Sequence, residues 1–457
     1  MASMARRVSR SCPAARVGAV LAILACLSGC GSGAHRDVGV SVSADVDPSP
    51  APARPPSAAG PPAITPRSLP ASCARKAMQV LSDVATRVYR EGVQSERAAT
   101  AEYFIDTSLP LRQAVEHGDA AGVRAAARAL IAAGRITNLR ISRTGAGSSG
   151  APSAPLGGGQ LLADVGPPAL APIPGTLTGA GDAPIASFLT SVWSDTGFVL
   201  ETEGITQGFA SLRQAGRSLP GSLALAPGPL PSSGMLSLGA VHYHYASFPV
   251  TIYPSGRARV YLLRSDASLL GLCGASEQDT LVNTLRRVAA LIYESESGAH
   301  ALQQVRRVQY DPALLSAVAS RDPLATREAI EGLLHEHVVR LRVSAGGRLL
   351  SDVGGPYVLA PVSGSLREGG RQIGSFVLSI QDDEGYKRLA QRLAGVRVLM
   401  YMGTELVKNS LGPAPGEPPA EGPYTYRGER FRTFTIHAEA FPSGPLRIVA
   451  LVPIPYS

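Results

Sequence analysis

The sequence predicts an α+β protein made of two tandem copies of one domain, and two observations support this prediction. The first is a repeat, in which three separate segments recur 188 positions further along the chain. The second is the order of patterns within each copy, where helical periodicity comes first and strand-like segments follow. Three matches at one displacement exceed what shared composition would give. The matching segments are Leu161–Gly166 and Leu349–Gly354, Ile185–Phe188 and Ile373–Phe376, and Pro254–Gly256 and Pro442–Gly444.

Each copy opens with a long amphipathic helix. Its apolar residues recur three or four positions apart, which places them on one face of a helix. They are Met78, Leu81, Val84 and Val88 in copy one and Leu281, Leu285, Val288 and Ile292 in copy two. A shorter helix is predicted next, over 119–133 and 323–335.

The rest of each copy is mainly strand. Alternation of apolar and polar residues predicts a hairpin, followed by an apolar strand from Ile185 or Ile373, a helix capped by acidic residues, and closing strands. We predict an antiparallel sheet of about five or six strands in each copy, with flanking helices, and about 185 residues are enough for each copy to bury its own core. In copy two the predicted strands cover 337–344, 348–353, 373–380, 396–402, 424–439 and 446–453.

Copy one carries an insertion between its hairpin strands. The first strands match at a displacement of 202 rather than 188, and the extra residues, 145–159, are mainly Gly, Ser, Pro and Ala. We expect them to form a disordered loop. Gly145, Gly147 and Gly150 have the spacing of a dinucleotide fingerprint, but that motif needs a helix directly after the loop, and Pro and Gly follow instead.

The start of the chain predicts export. Four arginines precede a short apolar run that ends in Leu27-Ser28-Gly29-Cys30, the pattern of a bacterial lipoprotein signal peptide over 1–29. Cys30 would carry the lipid, which would hold the protein on the outer face of the membrane. Residues 30–72 are rich in Ala, Pro and Ser and predict a disordered tether. The two domains are then expected over 73–273 and 274–457.

Composition and motifs argue against several functions. The formal net charge is +8, but no basic cluster with interleaved aromatic residues indicates nucleic-acid binding. The pairs His242/His244 and His335/His337 lack a third ligand nearby in sequence, so no metal or other cofactor is predicted. No nucleophile elbow, phosphate-binding loop or convincing carboxylate pair predicts an enzyme, since Asp382-Asp383 is better explained by helix capping.

The element order, the Leu-Leu-x-Asp-Val-Gly hairpins and the Ile-Gly-Ser-Phe strand that runs into Gln-Asp-Asp-Glu-Gly-Tyr resemble the bacterial extracellular Cache (PAS-like) sensor domains. This resemblance covers nearly all of the chain after the tether. It implies binding of a small molecule, without specifying which one. It also implies that the leading helix begins, and the last strand ends, on the same side of each domain. Cys73 and Cys273 would then lie close enough for a disulfide, with two unpaired thiols as the alternative.

The resemblance places a predicted ligand site in copy two. Arg342 on the first hairpin would bind an anion, Tyr357 would act as a lid, and Asp382 at a helix start would accept a hydrogen bond from the ligand. The alternatives are that Arg342 and Arg140 lie on a solvated strand face, and that Asp382 only caps its helix. Asp164 and Asp352 are expected to bond their own turns.

The sequence therefore predicts an exported, membrane-anchored lipoprotein that binds or senses a small, possibly anionic, molecule. Any signal would pass to another protein, such as a membrane signalling protein, because the sequence predicts no output domain after residue 457. The alternative is an envelope scaffold or interaction protein whose pockets have degenerated.

Overall fold

The computed structural model describes residues 69–143, 159–220, 222–254, 256–295, 297–334, 338–413 and 415–456. These residues belong to one compact unit, Pro66–Ser457. The predicted signal peptide, Cys30 and nearly all of the predicted tether lie outside the described residues. So do the insertion, apart from Gly159, and the pair His335/His337.

Helices lead each copy and recur between its strands, as predicted. The leading helix is longer than the apolar stripe alone indicated, and the chain between it and the short helix is helical as well. In copy one the helices are α1 (Ala71–Gln94), α2 (Glu96–Asp106), α3 (Leu109–Glu116), α4 (Ala120–Ala132), α5 (Asp195–Thr206) and α6 (Asp266–Leu270). In copy two they are α7 (Glu277–Ser295), α8 (Ala299–Gln309), α9 (Pro312–Ala319), α10 (Pro323–Leu334) and α11 (Asp383–Leu389), which continues into a π-helical turn, Ala390–Ala394.

The strands of the two copies correspond one to one. Copy one contains β1 (Asn138–Arg143), β2 (Gln160–Val165), β3 (Ala169–Leu170), β4 (Ile173–Thr178), β5 (Pro184–Ser191), β6 (Trp193–Ser194), β7 (Phe209–Gln214), β8 (Arg217–Ser218), β9 (Ser233–Leu238), β10 (Val241–Ile252) and β11 (Gly256–Ser265). Copy two contains β12 (Arg340–Ala345), β13 (Arg348–Gly354), β14 (Val358–Leu359), β15 (Val362–Glu368), β16 (Arg371–Ser379), β17 (Gln381–Asp382), β18 (Arg397–Met402), β19 (Glu405–Asn409), β20 (Gly422–Tyr426), β21 (Glu429–Phe441) and β22 (Gly444–Ile454).

The strands of each copy divide between two antiparallel sheets. In copy one the small sheet has the order β2-β1-β5-β4, and the large sheet has the order β6-β3-β10-β11-β7-β8, with β9 also paired to β10. Copy two repeats both orders with β12 to β22. The α+β class and the tandem Cache-like arrangement are confirmed. The single sheet expected in each copy is replaced by two. The chain enters the large sheet briefly at β3 or β14, returns to the small sheet, and continues in the large sheet after β5 or β16.

Each small sheet buries a core of its own. In copy one, residues of β1 and β5 such as Leu139 and Phe188 pack with Leu111 and Val123 from α3 and α4. In copy two, Leu341 and Phe376 form the equivalent cluster with α9 and α10. Side chains on one face of each small sheet therefore pack against the short helices and are shielded from water.

The large sheets share one core, so the expectation of a separate core in each copy is wrong for this part of the fold. The cluster joins α1 and α7 to both large sheets and includes buried residues of all four elements. The two leading helices pack against each other, and each therefore buries its apolar stripe against elements of both copies. Representative members are Leu81 and Val84 of α1, Leu285 and Val288 of α7, Phe248 and Val260 of copy one, and Phe434 and Ile448 of copy two.

A tyrosine on each leading helix fixes how the copies correspond. The hydroxyl of Tyr89 lies 3.4 Å from the carbonyl oxygen of Thr251 and accepts a hydrogen bond from its N–H at 2.9 Å. The hydroxyl of Tyr293 makes the same two contacts with Glu439, at 3.5 and 3.2 Å. The leading helices therefore correspond at a displacement of 204 and the later strands at 188.

Candidate functional site

The predicted ligand residues of copy two lie in one neighbourhood of the fold. The guanidinium of Arg342 lies 4.8 Å from the ring centroid of Phe441. Phe441 pairs with Val358, which follows Tyr357 in the chain and also pairs with Asp382. Tyr357 has a left-handed backbone conformation, with φ of 53°, which is costly for a bulky side chain. The structure thus brings the three residues to the same edge between the two sheets.

Arg342 already has an anionic partner inside the protein. Its Nε and Nη2 donate to Oδ2 of Asp352 at 2.9 and 2.7 Å, while Nε of Arg340 donates to Oδ1 at 2.8 Å. Burial alone would raise the pKa of Asp352, but the hydrogen bonds from the two arginines outweigh it and lower the pKa below its usual range. An external anion would have to compete with this carboxylate for Arg342.

Asp382 also has an internal role. Its Oδ1 accepts a hydrogen bond from the backbone N–H of Gly385 at 2.6 Å, which caps α11. In copy one Ser194 caps α5 in the same way, accepting from Gly197 at 2.9 Å. The site at Arg342, Tyr357 and Asp382 stays a prediction, and two of its three side chains are engaged by the fold.

The copy-one counterpart of this cluster is built differently. Nη1 of Arg140 lies 3.3 Å from Oδ2 of Asp164, whose Oδ1 accepts a hydrogen bond from the hydroxyl of Tyr253 at 2.9 Å. In both copies, therefore, the recurring Asp joins the hairpin arginine and contributes to the packing between the two sheets. This role differs from the turn-bonding expected for Asp164 and Asp352.

The disulfide between Cys73 and Cys273 is confirmed, and it closes a sequence separation of 200 residues. Cys73 is in the first turn of α1, and Cys273 follows α6, just before α7. The bond therefore ties the beginning of one leading helix to the chain that enters the other.

A groove of about 600 Å³ in copy one is the strongest candidate for a ligand site. It lies between the first turns of α1 and the paired strands β9 and β10. Buried Ala74, Met78 and Tyr245 provide apolar surface, while Arg75, Gln79, Ser82, Asp83, Ser233, His244 and Ser247 contribute polar groups. Concave apolar surface with a few polar groups is typical of small-molecule sites.

Copy two has two ion pairs across the equivalent place. Asp279 corresponds to Arg75 and Arg432 to His244, and in copy two these residues lie 3.0 Å apart, between Oδ1 and Nη2. Arg286 corresponds to Ser82 and Glu421 to Ser233, and they form a second pair at 2.6 Å. Four charged side chains thus bridge α7 to β21 and to Glu421, the residue before β20. Copy one has no such bridges among its described residues, and the groove stays open.

The groove presents charge of both signs. Nε2 of His244 lies 3.3 Å from Oδ1 of Asp266, and Arg75 approaches Glu277 at 3.7 Å with most of its side chain exposed. Asp83 of α1 also lines the groove and supplies a carboxylate. This arrangement suits a small molecule that carries both an apolar part and polar or charged groups.

The sequence carries a signal for this groove that local periodicity does not reveal. The helices of the two copies align at a displacement of 204 residues and the strands at 188. In that alignment, four charged residues of copy two correspond to Arg75, Ser82, Ser233 and His244. The pairing itself depends on the contact between a helix and a strand more than 130 residues apart, which no local pattern reveals. His242 bonds Ser237 at 2.9 Å and does not join His244.

Comparisons with known proteins add little to this picture. No protein-family model and no curated protein matches the chain. The chain is similar to the periplasmic domain of Vibrio cholerae LuxQ, with 16% identity and a TM-score of 0.25 over 36% of this chain and 96% of that one. It is also similar to an extracellular ligand binding receptor from Desulfohalobium retbaense DSM5692, with 12% identity and a TM-score of 0.23 over 49% and 47% of the two chains. Similarities at these scores carry no argument about function.

None of the described helices is both long and apolar enough to cross a membrane. Among the described residues, no group of three or more His, Cys, Asp or Glu side chains could hold a metal ion.

Proposed function

We propose that the protein is an exported lipoprotein that binds a small polar molecule in copy one, without catalysing a reaction on it. The observation that carries this proposal is the groove between α1 and β9–β10 in copy one, whose equivalent place in copy two is bridged by two ion pairs. The same position is open in one copy and bridged by charged side chains in the other. This difference fits a binding function that is confined to copy one.

Export is supported by the chain's own cysteines and signal pattern. A disulfide between distant cysteines persists in oxidising compartments such as the cell exterior. The lipobox at Cys30 supplies the proposed membrane anchor. Ligand occupancy would then be passed to a membrane signalling protein, since α1 both lines the groove and packs in the core shared by both copies.

The test introduces into the groove the charged side chains that form an ion pair at the equivalent place in copy two. In the full chain, Ser82→Arg with Ser233→Glu copies the pair Arg286–Glu421. Thermal denaturation with a library of small metabolites identifies ligands of the wild-type chain as compounds that raise the Tm. We expect those shifts to disappear in the double variant, because the new side chains occupy the ligand's volume.

The matched control is the reverse change in copy two, Arg286→Ser with Glu421→Ser. It removes the pair without touching the groove of copy one, and the same compounds should still raise the Tm. Retention of the shifts by the groove-filled variant, or their loss in the control alone, would place the ligand elsewhere. No shift with any compound would favour the alternative function, an envelope scaffold.

A further inference from the structure

A second cavity in copy one lies on the face of the large sheet that points away from the leading helices. It has a volume of about 380 Å³ and lies between strands β7 and β11 and the segment Gly228–Leu230. Three arginines line it, Arg213 from β7 and Arg257 and Arg259 from β11. It shares none of its lining residues with the groove between α1 and β9–β10, and is therefore a separate site.

Arg213 is buried, with 3% of its surface exposed. Its Nη2 donates to the carbonyl oxygens of Gly216, Ala226 and Gly228 at 2.5, 2.8 and 3.0 Å. Its Nε is buried without a hydrogen-bond partner, and the guanidinium lies 5.6 Å from the ring centroid of Tyr261. The carbonyl oxygens solvate the cation in part but do not neutralise its charge.

The neighbouring arginines leave the positive charge uncompensated. Arg259 donates to the hydroxyl of Ser247 at 3.0 Å and to its carbonyl oxygen at 3.3 Å, and Arg257 is exposed. Within the described residues, none of the three arginines of the cavity forms an ion pair with a carboxylate. Arg213 is buried and Arg259 half-buried, so two positive charges are withdrawn from water here without a carboxylate, which is costly unless an anion accompanies them.

Copy two shows how the same position is neutralised. Arg447, the counterpart of Arg259, forms an ion pair with Glu417 and lies 4.6 Å from the ring centroid of Tyr401. The strand pairing fixes these equivalences, since Arg259 pairs with Arg213 as Arg447 pairs with Tyr401.

Copy one lacks this carboxylate and carries two further arginines at equivalent positions. Pro229 stands where copy two has Glu417, Arg213 stands where it has Tyr401, and Arg257 stands where it has Pro445. The fourth position is Arg259 in copy one and Arg447 in copy two. The formal charge over the four positions is therefore zero in copy two and +3 in copy one.

We infer that this cavity binds an oxyanion, a phosphate or carboxylate group carried on a small molecule. Planar guanidinium groups form paired hydrogen bonds with such groups, and the anion would take the place that the Glu417 carboxylate fills in copy two. The cavity is large enough for an anionic group with a small substituent, and too small to enclose a macromolecular partner.

The experiment titrates the full chain with inorganic phosphate, sulfate and succinate at constant ionic strength, and follows binding by calorimetry. We expect saturable binding of at least one of these probes with one site per chain. Pro229→Glu, which restores the copy-two carboxylate, should weaken that binding about tenfold or more. Pro227→Glu adds the same charge two residues away, outside the cavity lining, and should change it less than about twofold.

Two further variants make the result decisive. Arg257→Gln is an exposed substitution that should weaken binding without loss of folding, which circular dichroism checks. The groove variant Ser82→Arg with Ser233→Glu should bind the probe as wild type does, so failure of the proposed groove leaves this result unaffected. Absence of binding by all three probes, or equal weakening by Pro229→Glu and Pro227→Glu, would overturn the inference.

Discussion

Replacing Asp352 by Asn should destabilise the protein substantially more than the matching change in copy one. The carboxylate of Asp352 and the side chain of Arg340 are 13% and 14% exposed, and Arg342 adds a second, half-exposed partner on the same carboxylate. Breaking a buried ion pair costs up to about 3–5 kcal/mol because one charge is left without a partner. Partial exposure of Arg342 and the hydrogen bonds that Asn can still accept reduce the expected loss to about 2–3 kcal/mol.

Asp164→Asn is the matched control. Asp164 is 39% exposed and Arg140 27% exposed, so solvent screens this pair and its loss should cost about 1 kcal/mol or less. Urea denaturation of both variants and the wild-type chain at neutral pH gives the two differences in unfolding free energy. Equal losses in the two copies, or a loss under about 1 kcal/mol for Asp352→Asn, would refute the argument that Asp352 organises a buried cluster.

The same cluster predicts a pH dependence with a definite sign. The folded-state pKa of Asp352 is lowered by Arg340 and Arg342, so its contribution to stability is complete above the unfolded-state pKa of about 3.9. It is lost as the pH falls through the folded-state value. The difference between wild type and Asp352→Asn should therefore be constant from about pH 7 to pH 5 and shrink below about pH 4.

Three further predictions concern the cross-link, a tight contact and the anchor. Cys73→Ala or Cys273→Ala should lower the free energy of unfolding by about 3–5 kcal/mol in urea, because the bond closes a 200-residue separation. Gly364→Ala should cost about 1–3 kcal/mol, measured in the same way, because a Cβ there would lie 2.3 Å from Cζ of Phe376. Cys30→Ala should move the protein from the membrane fraction to the soluble fraction of cells, because the lipid would have no attachment site.

Each of these has an outcome that would contradict it. The two single cysteine variants and the double variant should be equally unstable, and additive losses would argue against a shared bond. Gly355→Ala, where a Cβ meets no atom within 4 Å, should be nearly neutral, and a cost equal to that of Gly364→Ala would argue against the steric explanation. Membrane retention of Cys30→Ala at the wild-type level would refute the lipoprotein prediction.

The sequence alone determined the parts of the fold that depend on local periodicity and on repetition. The apolar stripes of α1 and α7 and the alternation in the hairpins follow from one chain segment at a time. The displacement of 188 established that the copies share one topology. The pairing of Cys73 with Cys273 followed from the resemblance to Cache domains, which implied that the two residues lie on the same side.

The tertiary structure decided the features that depend on contacts between distant segments. Periodicity marks a face as apolar but does not say which element covers it, so the core shared by both large sheets could not be predicted from α1 or α7 alone. In the same way, Arg342 carries a charge in the sequence, but only the fold shows that Asp352 neutralises it. The groove and the arginine cavity arise where two copies of one fold differ in charged side chains, because an ion pair forms only when folding places its two partners within a few ångströms of each other.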